Sequence, residues 1–204
     1  MEQAAPLVLS YGWASGVNAY LTVALFGILG RSGVADAPDA IERWEVIAVA
    51  LAMFAIEFVI DKIPFLDSVW DLPHWAIRPA VGSALGVAIA GDAGALDGAM
   101  DDALAVGGGG VTALASHGVK AAIRLGVNSS PEPFTNAIVS LVEDLAVAGV
   151  TLIATEHPWV AFAIATVLLA AGVAAALLLA KLIRTGYRRV RARLERRRGP
   201  PPSP

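Results

Sequence analysis

Pro158–Ala180 reads PWVAFAIATVLLAAGVAAALLLA and contains no acid or base. At 1.5 Å of rise per residue, about 20 apolar residues cross the ~30 Å hydrocarbon core of a bilayer, so this run predicts a transmembrane helix. Its flank orients it. Lys181 and Arg184 follow, and then Arg188, Arg189, Arg191, Arg193, Arg196, Arg197 and Arg198 stand against the single acid Glu195. Short segments dense in Lys and Arg beside a membrane helix stay cytoplasmic, which places the C-terminus inside.

The whole chain fits that reading. It has 204 residues, 56% hydrophobic and only 16% charged, with a mean hydropathy of +0.65. That is too apolar for an ordinary soluble domain. The net charge of −3 hides a segregation, because Asp92, Asp97, Asp101 and Asp102 cluster with no base while the tail is strongly basic. There is no cysteine, which rules out disulfides, thiolate metal sites and cysteine nucleophiles. Met1–Pro6 has no basic region of the kind that opens a cleavable signal peptide.

Five more segments precede the last one: about Leu7–Leu29, Trp44–Ile60, Ala76–Ala90, about Ala103–Leu125, and Ile138–Ala154. Six crossings put both termini on the cytoplasmic side. The outer loops 31–43, 91–102 and 155–157 then hold only Arg31 and Arg43 as bases, in keeping with the positive-inside rule. The fold class is therefore all-α, a membrane helix bundle over residues 1–185 with a basic, proline-rich and disordered tail over 186–204. Ala14-Ser15-Gly16-Val17-Asn18-Ala19 echoes Ala115-Ser116-His117-Gly118-Val119-Lys120-Ala121. With three crossings before the second copy, the two would point in opposite directions, as in the inverted repeats of secondary transporters.

Charges at membrane depth are costly, about 2.5–3.5 kcal/mol each on insertion scales, so they face a partner or a wet cavity. Glu57 and Asp61 share one helix face at i, i+4. His117, Lys120 and Arg124 share another at i, i+3, i+7, and Ser140, Glu143 and Asp144 lie together on the fifth segment. Pairing of Glu57 or Glu143 with Lys120 or Arg124 is expected. With Asn18 and Lys62, these residues are the candidate substrate or ion path, and proton binding at Glu57 or Glu143 is the natural coupling step. Asp67, Asp71, Arg78 and Asn136 read as cytoplasmic-loop positions. The acids Asp61, Asp67 and Asp71 do not have the spacing of a calcium loop, and no metal is expected. His74 reads as interfacial.

Catalytic signatures are absent: no HExxH, GxSxG or phosphate-binding loop occurs. Gly107–Gly110 reads as a place of close helix packing. The expectation is a protein that is not an enzyme and carries no cofactor. Its basic tail suits anionic lipid better than nucleic acid, and homo-oligomerisation is compatible with its size.

The chain resembles a bacterial family of small integral membrane proteins known as domain of unknown function 4126. The resemblance rests on Ser15-Gly16-Val17-Asn18-Ala19-Tyr20-Leu21, on Glu57 with Asp61-Lys62-Ile63-Pro64, Asp67 and Asp71, and on Arg78-Pro79. It continues through His117, Lys120-Ala121, Arg124, Asn136, Ser140 and Glu143-Asp144. Where the family pattern has Asn-Pro, this chain has Asn136-Ala137. The resemblance implies a multi-pass protein of the inner membrane and no established activity. The leading expectation is a small transporter or lipid-handling permease; the alternative is a membrane scaffold whose buried ion pairs are structural.

Overall fold

The computed structural model describes residues 3–94, 99–128 and 133–197. Among them are six helices and no strand: α1 (Ala4–Arg31), α2 (Trp44–Ile60), α3 (Leu66–Asp92), α4 (Ala99–Asn128), α5 (Pro133–Glu156) and α6 (Pro158–Arg197). By length and composition, residues 4–31, 134–156 and 158–188 are each apolar enough to cross a membrane. The protein is an all-α membrane protein.

The first of these stretches does not cross. In a straight helix, residues 11 and 26 would lie about 22 Å apart; here the Tyr11 and Phe26 rings stack with centroids 4.2 Å apart. The helix breaks at Asn18, whose φ of −148° and ψ of 98° are extended. Its second limb, residues 19–31, folds back along the first, residues 4–17. Asn18 starts the second limb as an N-cap does: its Oδ1 accepts from the Leu21 N–H at 3.0 Å, and its carbonyl accepts from the Thr22 hydroxyl at 2.8 Å. Nearly the whole hairpin is buried. That is the condition under which non-helical backbone survives at membrane depth.

The hairpin corrects the predicted topology. It enters and leaves at one end of the bundle, so five helices rather than six run from end to end, and the N- and C-termini lie at opposite ends. Cysteines placed at Gln3 and Arg184 of this naturally cysteine-free chain should react with an impermeant maleimide from opposite sides of the membrane. Labelling of both from one side would restore the six-crossing scheme.

The first limb also decides the question of the repeat. Its Gly12 packs on Gly109, its Gly16 on Ala113 and Ser116, and its Val17 carbonyl meets Lys120. Residue numbers rise together along both helices, so the two similar motifs lie side by side and point the same way. They are not an inverted pair.

Glycine makes the three-helix centre of α1, α3 and α4 possible. A Cβ on Gly82 would lie 2.6 Å from the Gly109 carbonyl oxygen, so α3 and α4 touch backbone to backbone. This is the close packing expected of Gly107–Gly110. α2 stands at the edge of the bundle, burying only Ile47, Ala50 and Glu57. Its apolar remainder faces outward, as lipid requires. α3 begins well before the predicted segment. Phe65, at φ +69°, reverses the chain within the short 61–65 connector and launches a helix that absorbs residues 66–71. α6 continues through the arginines to Arg197, where a disordered tail was expected. Arg, Leu and Ala are good helix formers and no proline falls between Pro158 and Pro200, so α6 runs on past its apolar stretch. Residues 1–2, 95–98, 129–132 and 198–204 lie outside the described residues.

Candidate functional site

Breaking α1 at Asn18 leaves the last carbonyls of the first limb without helical partners. Three carbonyls near this end receive donors from other helices. Ser116 Oγ donates to the Trp13 carbonyl at 2.9 Å, an Arg78 guanidinium nitrogen to that of Gly16 at 3.1 Å, and Lys120 Nζ to that of Val17 at 3.1 Å. Two cations at a helix C-terminus also suit the negative end of its dipole. The start of the second limb carries the opposite sign and meets an acid: Asn18 Nδ2 donates to Asp144 Oδ1 at 3.0 Å.

From this tip an ion-pair ladder runs toward the 61–65 connector. Arg78 pairs with Glu57 at 2.7 Å and Asp71 at 3.4 Å, and one of its nitrogens donates to Nδ1 of His117 at 2.6 Å. Lys120 lies 3.2 Å from Glu57, 2.8 Å from Asp61 and 3.7 Å from Glu143. Arg124 reaches Asp61 at 3.1 Å, Asp67 at 3.5 Å and Glu143 at 2.6 Å. It also donates to the Asp61 carbonyl at 2.6 Å and to Asn136 Oδ1 at 3.2 Å. Both kinds of expected pair, Glu57 with Lys120 and Glu143 with Arg124, are present.

Three cations, Arg78, Lys120 and Arg124, face six carboxylates: Glu57, Asp61, Asp67, Asp71, Glu143 and Asp144. All are buried except Glu143, whose side chain is 15% exposed. Coulomb attraction is strong in such a dry setting, yet the desolvation it must offset is of similar size. The acids outnumber the bases, so the cluster has a standing demand for protons or another cation.

The candidate residues read from sequence nearly all converge here: Asn18, Glu57, Asp61, His117, Lys120, Arg124, Ser140, Glu143 and Asp144. Lys62 lies near Asp144 and Asp61 but makes no ion pair with them. Its Nζ donates to the Phe58 carbonyl at 2.7 Å and sits 2.9 Å from the centroid of the Phe58 ring. Asp67, Asp71, Arg78 and Asn136 are not loop positions but buried helical ones. His74 is likewise buried rather than interfacial, with Nδ1 2.6 Å from the Trp70 carbonyl and Nε2 3.0 Å from the Tyr20 hydroxyl. The signal was available, since Asp67, Asp71, His74 and Arg78 fall at i, i+4, i+7, i+11, one helical face. Asn128, not among the candidates, donates to both Asp67 oxygens at 2.9 and 3.1 Å.

Beside the ladder lies a cavity of about 160 Å³ between α1, α4, α5 and α6. Trp13, Val142, Leu168 and Leu169 make it largely apolar, and Ser116, Lys120 and Glu143 are the polar residues of its lining. Val142 and Leu168 are exposed at its rim.

The family model described as a domain of unknown function, DUF4126, matches residues 5–178. The chain belongs to this family. The match takes in the hairpin, every rung of the ladder and the cavity, and it stops near the point where α6 leaves the apolar part of the DUF4126 domain. No curated protein and no solved structure matches the chain.

Proposed function

We propose that this protein is a small permease of the bacterial inner membrane that handles an amphipathic substrate at the tip of its broken hairpin. The observation that carries the reading is the break at Asn18, where two opposed half-helix ends meet ionised side chains deep in the bundle. Half-helix ends with exposed backbone dipoles are how many transporters build a polar site at the bilayer midplane. The substrate class follows from the cavity beside it, lined mostly by apolar side chains together with Ser116, Lys120 and Glu143. An acyl chain suits the apolar walls, and a polar head group suits Lys120 and Glu143. The arginines after Lys181 favour a cytoplasmic C-terminus and contact with anionic lipid, which puts the mouth of the hairpin on the outer side.

Reconstituted into vesicles, the protein should accelerate transbilayer movement of a short-chain fluorescent phospholipid. Glu143→Gln should lower that rate by about tenfold, the effect of about 1.4 kcal/mol on a barrier, in protein that is still folded at the assay temperature. No acceleration by the wild-type protein would overturn the reading.

A second reading, a scaffold whose ion pairs only lock helices together, is favoured by the dryness of the upper ladder. Glu57 and Arg78 are fully buried, and Lys120 is 3% exposed. Under it, Glu143→Gln would change stability and nothing else.

A further inference from the structure

The inward face of α5 carries Asn136, Ser140, Asp144, Val147, Val150, Thr151 and Ala154, all buried. An amphipathic helix in a bundle normally turns apolar side chains to that face. Here four of the seven are polar, and each of the four has a side-chain atom with no hydrogen-bond partner, out of thirteen such atoms among the described residues: Asn136 Nδ2, Ser140 Oγ, Asp144 Oδ2 and Thr151 Oγ1. An unpaired buried polar atom costs about 1–3 kcal/mol, and native proteins carry few of them. Four on one stripe of one helix call for a common explanation.

Spacing separates the stripe into two parts. Asn136, Ser140 and Asp144 follow at i+4 steps, each about 6 Å along the axis, a gap that one or two bridging waters span. Thr151 stands about 10 Å beyond Asp144, with Val147 between them on the same face. The polar row is therefore continuous from the end of the bundle that holds the 61–65 connector up to Asp144, and it is interrupted by an apolar residue on the far side.

We propose that Asn136, Ser140 and Asp144 form a hydrated half-path that delivers a proton to Asp144 from the 61–65 end of the bundle. The proton leaves a hydronium ion at that end, passes through waters held by Asn136 and Ser140, and bonds to Asp144 Oδ2, leaving a neutral carboxylic acid; release is the reverse. Asp144 Oδ1 meanwhile holds Asn18 at the hairpin tip. Neutralising the acid takes away the charge assistance of that bond, so the proton acts directly on the break in α1. The charged groups around Asp144 are Lys120 from α4, Glu57 from α2, and Asp61 and Lys62 just beyond α2. α6 brings no ionisable side chain between Pro158 and Ala180. The proposal gives the permease reading its coupling ion and moves the expected coupling carboxylate from Glu57 or Glu143 to Asp144. It is tested without any transported substrate, so its failure is separate from failure of that reading.

Infrared difference spectroscopy after a pH jump, on the whole protein in lipid, reads the carboxylic acid band directly. A protonated-carboxyl band should rise in the wild type and be missing in Asp144→Asn. Ser140→Val should slow its rise by about tenfold, a change of about 1.4 kcal/mol in the barrier, without changing its final height. Thr151→Val, beyond the interruption, should leave the rate unchanged. A band that persists in Asp144→Asn overturns the proposal. So does a rate indifferent to Ser140→Val, an arm that stands even where Asp144→Asn does not fold.

Discussion

Arg78→Ala should unfold or grossly destabilise the protein. Arg78 is fully buried on α3 and binds three other helices and its own at once: Glu57 of α2, the Gly16 carbonyl of the hairpin, His117 of α4 and Asp71 of α3. Truncation leaves two carboxylates and an orphan carbonyl in a dry interior, and breaking a buried ion pair from one side costs about 3–5 kcal/mol. For a protein of this size, that corresponds to a fall of roughly 6–20 °C in the unfolding midpoint. Thermal scans of the purified protein in detergent would measure it. Arg78→Lys should recover only a minor part, because an ammonium cannot reproduce the planar fork that serves several acceptors together. A midpoint for Arg78→Ala within about 2 °C of wild type, less than 1 kcal/mol on the same scale, would mean that the ladder does not hold the helices together.

Gly16→Val should dislodge the hairpin. A Cβ at residue 16 would run into Ser116 Oγ and the Ala113 carbonyl oxygen. The hydroxyl could swing away, at the loss of its bond to the Trp13 carbonyl; the backbone oxygen could not. Overpacking usually costs about 1–3 kcal/mol and sometimes more. Here the displaced segment also carries the carbonyls that Arg78 and Lys120 hold, so the effect belongs at the upper end. Gly149→Ala is the matched control. Nothing lies within 4 Å of a Cβ there, and helix propensity alone should make it neutral or stabilising by up to about 1 kcal/mol. Equal tolerance of both changes would argue against the close approach of α1 and α4.

The two predictions differ in what the sequence reveals of them. An ionisable residue inside an apolar stretch announces itself, because lipid penalises it wherever the fold puts it. Glu57 in α2 and Lys120 in α4 were legible for that reason, and so was their need for partners. Arg78 was less so. The short apolar segment Ala76–Ala90 hid the amphipathic first half of α3, and with it the face that Asp67, Asp71, His74 and Arg78 share.

Composition and the Pro158–Ala180 run determined by themselves that this is a membrane protein of helices, since backbone in hydrocarbon has few other ways to satisfy its hydrogen bonds. They also determined that the buried charges would be paired. What only the tertiary structure decided is the path of α1. As a string, residues 4–31 are long and apolar enough to cross a bilayer, and nothing local compels a break at Asn18. The break is stabilised by groups 62 to 126 residues away: Arg78, Ser116, Lys120 and Asp144 supply partners to the severed helix. Hydropathy sums one residue at a time and cannot register a cost that distant side chains cancel. The turning back of α1, the end of the bundle at which the N-terminus lies and the location of the polar cluster all follow from that cancellation.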